Sequence, residues 1–504
     1  MPMPGGGIPL RIGQPSEFAC VRGFLRDAGF DEAAVCRALT IAQIDGLSTI
    51  AWDAVNLDAV PTPLRWCIDV FLRGAAVEPT RSRDACGDAT LAALMVLGLL
   101  RPAARNPAYL VCPIWLYPVD GFIVASDRRD DPDGGRHIAA GDVVFPGINT
   151  GTLKFLRLLP DCRAGDALDL CGGCGIGALH LSRTARNAVT TDVTQRSAHF
   201  ADFSARLNDA DVTSLCGDMY APVQDRRFDV ITAHPPFVPA TGRTFVFRDG
   251  GDTGEDIIRR TIEGLPAHLR PGGTAMILCS GRDTAEATFE DRAREWLGPA
   301  APEFDVIFGL DKVVTIDEVV AAARARPKPI DAQEAKALRG RLLASETRQF
   351  VYGALLLRRC TETIATLPLR VRMSERATAA DFPRLLAWRR QCRQSSFPQW
   401  ITRSHPRFAP ELELTVRHVV KNGQLVPAEF VFRIEGGFPA ALRPDAWIVP
   451  VLAGLDGRRS VEDAYDAAHA NGRLPEGYAL DDFAGLVGLM IERGFLDVEL
   501  PADA

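Results

Sequence analysis

Between about residues 150 and 360, short apolar runs alternate with helical stretches, and this alternation constrains the fold more than any other feature of the chain. The runs are DALDLCG (166–172), AVTTDV (188–193), VTSLCGD (212–218), FDVITAHP (228–235), TAMILCS (274–280), FDVIFGLD (304–311) and FVYGALLLRR (350–359). Parallel strands covered by helices are buried on both faces, so they read as near-continuous apolar segments rather than alternating ones. The expected class is therefore α/β, a seven-stranded, doubly wound, Rossmann-like sheet. A polar helical insertion at 317–346 precedes the last strand.

The flanks read differently. Helical spacing of apolar residues runs through EFACVRGFLRDAGF, PLRWCIDVFLRG and ATLAALMVLGLL, followed by two strand-like runs, AYLVCPIWLYPV and GFIVASD. Helices followed by a small hairpin predict a helical, winged-helix-like domain over 1–140, with RRDDPDGGRH (128–137) as a linker or wing tip. The α/β domain is expected over 141–362. An α+β, winged-helix-like region over 363–504 is expected to recognise a substrate or partner. In that region Ser460 and Asp463 have the spacing of a helix capping box.

Length alone argues for several domains: 504 residues exceed what one core supports. A net charge of −7 gives no whole-chain case for nucleic acid, although 324–393 carries 16 Lys/Arg against 6 Asp/Glu. The N-terminal MPMPGGGIPL lacks the apolar core of a secretory signal, and no run reaches the roughly 20 apolar residues of a membrane span. A cytoplasmic protein with reduced cysteines and no membrane contact is expected. The CxxC at Cys171 and Cys174 lies inside a glycine turn without a second pair, which predicts small packed residues and no metal.

The chemistry is concentrated at strand ends. The first strand runs into Asp169-Leu170-Cys171-Gly172-Gly173-Cys174-Gly175-Ile176-Gly177, a turn whose glycines let backbone approach a ligand. Asp192 closes the second strand, 19 residues after Gly173, and Asp218 closes the third. The fourth ends in His234-Pro235-Pro236-Phe237, a rigid step without N–H donors at the prolines. A nicotinamide dinucleotide would use the first two features and has no use for the last.

This order of features resembles the class I S-adenosylmethionine-dependent methyltransferases, and within them the branch of the release-factor glutamine methyltransferases and related small-domain N-methyltransferases. The resemblance covers about 145–360. It rests on DLCGGCGIG, on TTDV with Asn208 at the following helix end, on GDMY, on HPPF and on RDGGDTGEDIIRRTIEGLPAHLRPGG. It implies that Asp169, Cys171, Gly173 and Gly175 hold the methionine moiety of S-adenosylmethionine. Asp192, with Val193 beside it, would take both ribose hydroxyls, and Asp218 with Met219 would frame the adenine. His234, the Pro235 carbonyl and Phe237 would be the catalytic step, with Thr150, Thr152, Pro236 and Phe237 lining the substrate channel.

One position departs from the branch: His234 stands where those relatives carry asparagine. A neutral imidazole can accept one hydrogen bond or act as a general base. The leading expectation is N-methylation of a protein or peptide side chain, with the terminal regions recognising the partner. A nucleic-acid base methyltransferase and a small-molecule methyltransferase using His234 as base are the alternatives. The sequence sets no oligomeric state.

Overall fold

The computed structural model describes residues 7–135, 140–163, 165–240, 245–325, 329–361 and 367–501. Two compact units emerge, one of residues 1–308 with 312–369, the other of 309–311 with 370–504. The described residues among the first 140 thus belong to the same unit as the α/β sheet. Part of the expected wing tip, 136–137, lies outside the described residues.

In the first unit, helices α1 (Pro15–Asp27), α2 (Glu32–Leu39), α3 (Thr62–Cys67) and α4 (Pro79–Val96) lead into a hairpin of β1 (Ile114–Val119) and β2 (Phe122–Asp127). After α5 (Thr150–Leu158) the alternation begins: β3 (Asp166–Leu170), α6 (Ile176–Leu181), β4 (Asn187–Asp192), α7 (Gln195–Asn208), β5 (Val212–Cys216), β6 (Phe228–Ala233), α8 (Asp256–His268), β7 (Leu269–Thr284), α9 (Phe289–Glu295) and β8 (Phe304–Val314). The polar insertion forms α10 (Ile316–Arg324) and α11 (Ala332–Ala344) before β9 (Thr347–Arg359). All seven expected strands are present, and an eighth, Leu369–Arg372, joins the edge beside β8, so the sheet has eight strands rather than the expected seven.

The spatial order of the seven is β5-β4-β3-β6-β7-β9-β8. Strands β5 to β7 pair in parallel, and β9 enters antiparallel to β7. The chain leaves β3 toward β4 on one side and leaves β6 toward β7 on the other. The strand order therefore reverses between β3 and β6, and ligands of open α/β sheets bind outside the carboxyl ends at such a point. Register brings the two ends level, with Leu170 opposite Ala233 and Asp169 opposite Thr232.

The hairpin is fastened to α7 by polar contacts that the apolar pattern does not announce. The Asn208 side chain accepts from the Ile123 amide at 2.8 Å and donates to the Ile123 carbonyl at 2.7 Å. Arg196 makes a two-pronged, buried pair with Asp127, Nε to Oδ2 at 2.7 Å and Nη2 to Oδ1 at 2.5 Å. Asp127 Oδ2 also accepts from the Val144 amide at 2.8 Å. Charge-assisted bonds of this kind tolerate burial because both partners are satisfied. They fix the segment after the hairpin, 142–149, against the carboxyl end of the sheet.

The second unit has its own core around Trp388, Phe432, Phe483 and Phe495. It contains α12 (Asp381–Cys392), α13 (Phe397–Arg403), a three-stranded antiparallel meander of β10 (Leu412–Lys421), β11 (Gln424–Ile434) and β12 (Ala440–Leu442), then α14 (Ile448–Leu452), α15 (Val461–Ala470) and α16 (Leu480–Glu492). This is α+β, as expected, and Ser460 and Asp463 cap α15 reciprocally. Among the described residues no helix is long and apolar enough to cross a membrane, and no group of three or more His, Cys, Asp or Glu could hold a metal ion.

Candidate functional site

A cavity of about 610 Å³ opens at the reversal point, within the size range of small-molecule sites. The turn after β3, the ends of β4 and β5, the step after β6, residues 142–149 and the start of α8 wall it.

The turn after β3 requires glycine for two different reasons. Gly173 lies at φ +55° with open space where a side chain would be, so the left-handed backbone itself demands glycine. A Cβ on Gly177 would sit 2.5 Å from Asp169 Oδ2, so the helix start can approach the carboxylate only without one. Asp169 is buried, accepting from the Thr232 hydroxyl at 3.0 Å and from the Ala178 amide. Burial pushes its pKa up to about 7 despite those donors.

Asp192 ties the turn to β4. Its Oδ2 accepts from the Gly173 amide at 3.1 Å and its Oδ1 from the Thr194 amide at 3.0 Å. Burial raises this carboxyl too, against those hydrogen bonds. Val193 beside it is 51% exposed, an apolar surface on the cavity wall. Asp218 is exposed, with Arg260 Nη2 on its Oδ2 at 2.7 Å, and Met219 follows in the left-handed region at φ +52°.

At the opposite end the His234–Phe237 step forms the wall. The His234 ring packs between Phe155, at a centroid distance of 5.6 Å, and Phe237 at 6.1 Å. It has no hydrogen-bond partner among the described residues. The ring is half-buried, the open part facing the cavity, and this enclosure lowers its pKa to about 4. It is a neutral imidazole at pH 7 and a weak base.

The step is held from behind by the glycine loop. Val238 donates to the Arg248 carbonyl at 3.0 Å, and Gly250 donates to the Val238 carbonyl at 2.9 Å. A Cβ on Gly250 would lie 2.7 Å from the Pro236 carbonyl, so this contact too depends on glycine. The loop ends at Glu255, buried under Arg282 and Arg292, each donating to both carboxylate oxygens through a backbone or side-chain N–H.

Most of the expected residues meet here: Asp169, Cys171, Gly173, Asp192, Val193, Asp218, Met219, Thr152, His234, Pro235, Pro236 and Phe237 all line the cavity. Two expectations need correction. Thr150 points away, donating to Asp45 Oδ2 at 3.0 Å, because as the first residue of α5 it faces outward from the helix start. Gly175 is also off the wall. A Cβ there would come within 2.8 Å of Ala201 on α7, so its glycine serves helix packing.

The sequence reading missed Asn149, Phe155, Phe247 and Arg260, all on the wall. Asn149 caps α5, accepting from the Thr152 amide at 3.0 Å, a role its position before TGTLKFL could have signalled. Phe247 stacks on Phe145 at 4.8 Å and 15°, a pairing of distant residues with no local signal.

The wall fits a sulfonium nucleoside. Three carboxylates suit a cofactor bearing a sulfonium and an ammonium, the glycine turn leaves backbone open to it, and Val193 and Met219 offer apolar faces to a base. Residues 144–295 match the family model described as methyltransferase small domain, so the expected resemblance is borne out over that stretch. The ribosomal protein uL3 glutamine methyltransferase of Bradyrhizobium diazoefficiens is 32% identical over 157 residues, 28% of this chain and 49% of that protein. The release factor glutamine methyltransferase of Geobacter sulfurreducens is 31% identical over 155 residues, 28% and 54% respectively. A putative protein N5-glutamine methyltransferase of Methanocaldococcus jannaschii is 29% identical over 137 residues, 26% and 68%. The chain thus spans about half the length of the first and second of these relatives.

Proposed function

We propose that this chain is an S-adenosylmethionine-dependent N-methyltransferase acting on a protein or peptide side chain, with the acceptor nitrogen held at His234–Phe237. The observation that carries the reading is a single cavity with the acidic, glycine-lined cradle at one end and the His-Pro-Pro-Phe step at the other. Three relatives named as protein glutamine methyltransferases support it. The bound cofactor would supply an electrophilic methyl carbon, open to in-line attack by the acceptor's lone pair, with the C–S bond breaking and S-adenosylhomocysteine as the leaving group.

The chain's own residues then have defined tasks. The Pro235 carbonyl and a His234 ring nitrogen accept hydrogen bonds from the acceptor's N–H groups and aim the lone pair. Phe237 supports a planar acceptor, and the diproline holds the carbonyl without offering a competing donor. Positioning of this kind supplies most of the rate in a displacement that needs little acid–base help. His234 need not be a strong base. The cationic, N-protonated amide left by methyl transfer is far more acidic than an imidazolium of pKa about 4, so its proton passes downhill to the ring and on to water, leaving the neutral N-methyl amide. The terminal regions, winged-helix-like in outline, serve as recognition modules in this reading, in the three-part division 1–140, 141–362 and 363–504.

Labelling a cell extract with tritiated S-adenosylmethionine, then treating it with protease or nuclease, tests the reading. Label released by protease and resistant to nuclease is expected; the reverse pattern sinks a protein acceptor. His234→Ala should lose on the order of 10²-fold in turnover, as for other positioned hydrogen-bonding groups. Full activity in both His234→Ala and His234→Asn would reduce the histidine to a strand terminator.

A further inference from the structure

Arg260 lies in the quoted stretch RDGGDTGEDIIRRTIEGLPAHLRPGG, which assigns it no role, yet it stands on the cavity wall. It projects from α8 one turn after Ile257, and both line the cavity while Ile258, Thr261, Ile262 and Leu265 bury the helix's other face. Its Nη2 donates to Asp218 Oδ2 at 2.7 Å, and this partner raises the guanidinium pKa further. Among the described residues the other arginine on the wall is Arg248, which is engaged by Asp249 at 2.7 Å. Arg260 is therefore, among the described residues, the arginine of the wall that pairs with an acid of the cofactor-binding end.

The pair leaves a pattern unfilled. Among the described residues Asp218 Oδ1 accepts nothing, and the remaining guanidinium N–H groups donate to no residue. A carboxylate acceptor therefore sits beside a guanidinium donor, both over a half-open wall, with side-chain exposures of 58% and 42%. The edge of adenine has the complementary order, an exocyclic amine that donates beside a ring nitrogen that accepts. Hypoxanthine presents the opposite order, an oxygen acceptor beside a ring N–H.

We infer that Arg260 is a specificity-determining residue, which with Asp218 reads the adenine edge of the cofactor as one donor–acceptor pair. This rests on the cofactor reading above and extends it to a residue to which the resemblance gave no role. Because the Arg260–Asp218 bond fixes which carboxylate oxygen is left over, the pair also holds the acceptor in place before the base arrives.

Calorimetric binding of S-adenosylhomocysteine and S-inosylhomocysteine to the full chain tests this without any turnover. The wild type is expected to favour the adenosine form by at least about tenfold, in keeping with loss of a charge-assisted hydrogen bond. Arg260→Met should weaken the adenosine form about tenfold while leaving the inosine form nearly unchanged, so that the preference collapses. Arg260→Lys restores a donor and should recover part of it, with unchanged thermal midpoints showing that all variants fold. Unchanged affinities in Arg260→Met would overturn the inference, and so would equal loss for both ligands, which would leave Arg260 a mere wall support. If the wild type bound neither ligand, the cofactor reading itself would fall.

Discussion

The Gly173 amide donates to Asp192 Oδ2 at 3.1 Å, joining the turn after β3 to the acid that ends β4. The cofactor cradle is thus one hydrogen-bonded object rather than two strand ends that happen to be near. Asp192 has to accept from Gly173 and Thr194 and still offer lone pairs to a ribose diol. A carboxylate has about four acceptor sites, and the Thr194 hydroxyl, also on Oδ1 at 3.3 Å, would yield its place when both ribose hydroxyls bind.

Asp192→Ala removes the ribose acceptors and the support of the Gly173 amide together. Affinity for S-adenosylmethionine should fall at least tenfold, since charge-assisted hydrogen bonds contribute on the order of 1.5–3 kcal/mol. Asp192→Asn keeps one acceptor and should lose less. Calorimetry showing equal binding in all three proteins would remove Asp192 from the cofactor site.

Asp169 makes a prediction of opposite sign for stability. Its folded pKa of about 7 lies above its ordinary 3.8, so the native state holds a proton that the unfolded chain has released. That contribution is complete below pH 3.8 and is lost as pH rises through 7. Asp169→Asn keeps a carbonyl for the Thr232 hydroxyl and removes the buried charge. It should melt several degrees above the wild type at pH 8, a difference on the order of 2–4 kcal/mol, and match it closely near pH 4. Cofactor binding should weaken in the same variant. A wild-type stability that does not fall between pH 4 and 8 relative to this variant would show that the carboxyl is not perturbed.

His234 works the other way. Enclosure lowers its pKa from the ordinary 6.5 to about 4, so between these values the unfolded chain binds a proton that the folded chain refuses. Its contribution to stability is present above pH 6.5 and declines as pH falls toward 4. For activity, the neutral ring is the acceptor, so His234 should add no ionisation to kcat/KM near 6.5, any limb near 7 belonging to Asp169, and should cause a drop only as pH approaches 4. In His234→Asn that acidic limb should disappear. A limb near 6.5 that persists in Asp169→Asn and vanishes in His234→Asn would mean that the ring is solvated rather than enclosed.

Asn208 should matter although it touches nothing in the cavity. It satisfies both backbone groups of Ile123 and donates to the Ser204 carbonyl at 2.7 Å, clamping the hairpin that precedes the 142–149 wall. Asn208→Ala leaves those groups unmatched in a part-buried place and should cost about 1–3 kcal/mol of stability by thermal or urea unfolding. Asn208→Asp keeps the acceptor and loses both donations, so it should also destabilise. Values within about 0.5 kcal/mol of wild type for both would mean that the hairpin is held by its apolar contacts alone.

How much of this the sequence carried depends on the range of the interaction. Strand ends were legible because Gly173, Asp192, Asp218 and the two prolines each obey local rules of turn and ladder chemistry. Adjacent strand ends of a doubly wound sheet converge on one side by topology alone, so the cavity followed from their order. Thr150 and Gly175 were misplaced because a three-residue window does not show which way a residue at a helix start points.

By itself the sequence determined the succession of strands along the chain, the acidic and glycine-bearing cradle and the rigid His-Pro-Pro-Phe step, since periodicity and backbone chemistry act within a few residues. Only the tertiary structure decided that His234 is a neutral ring, because its pKa reflects enclosure by Phe155 and Phe237 from different elements. It also decided that Arg260 faces Asp218, 42 residues earlier in the chain. Electrostatics and desolvation depend on distances between residues far apart in sequence, and those exist only once the sheet has brought its carboxyl ends together.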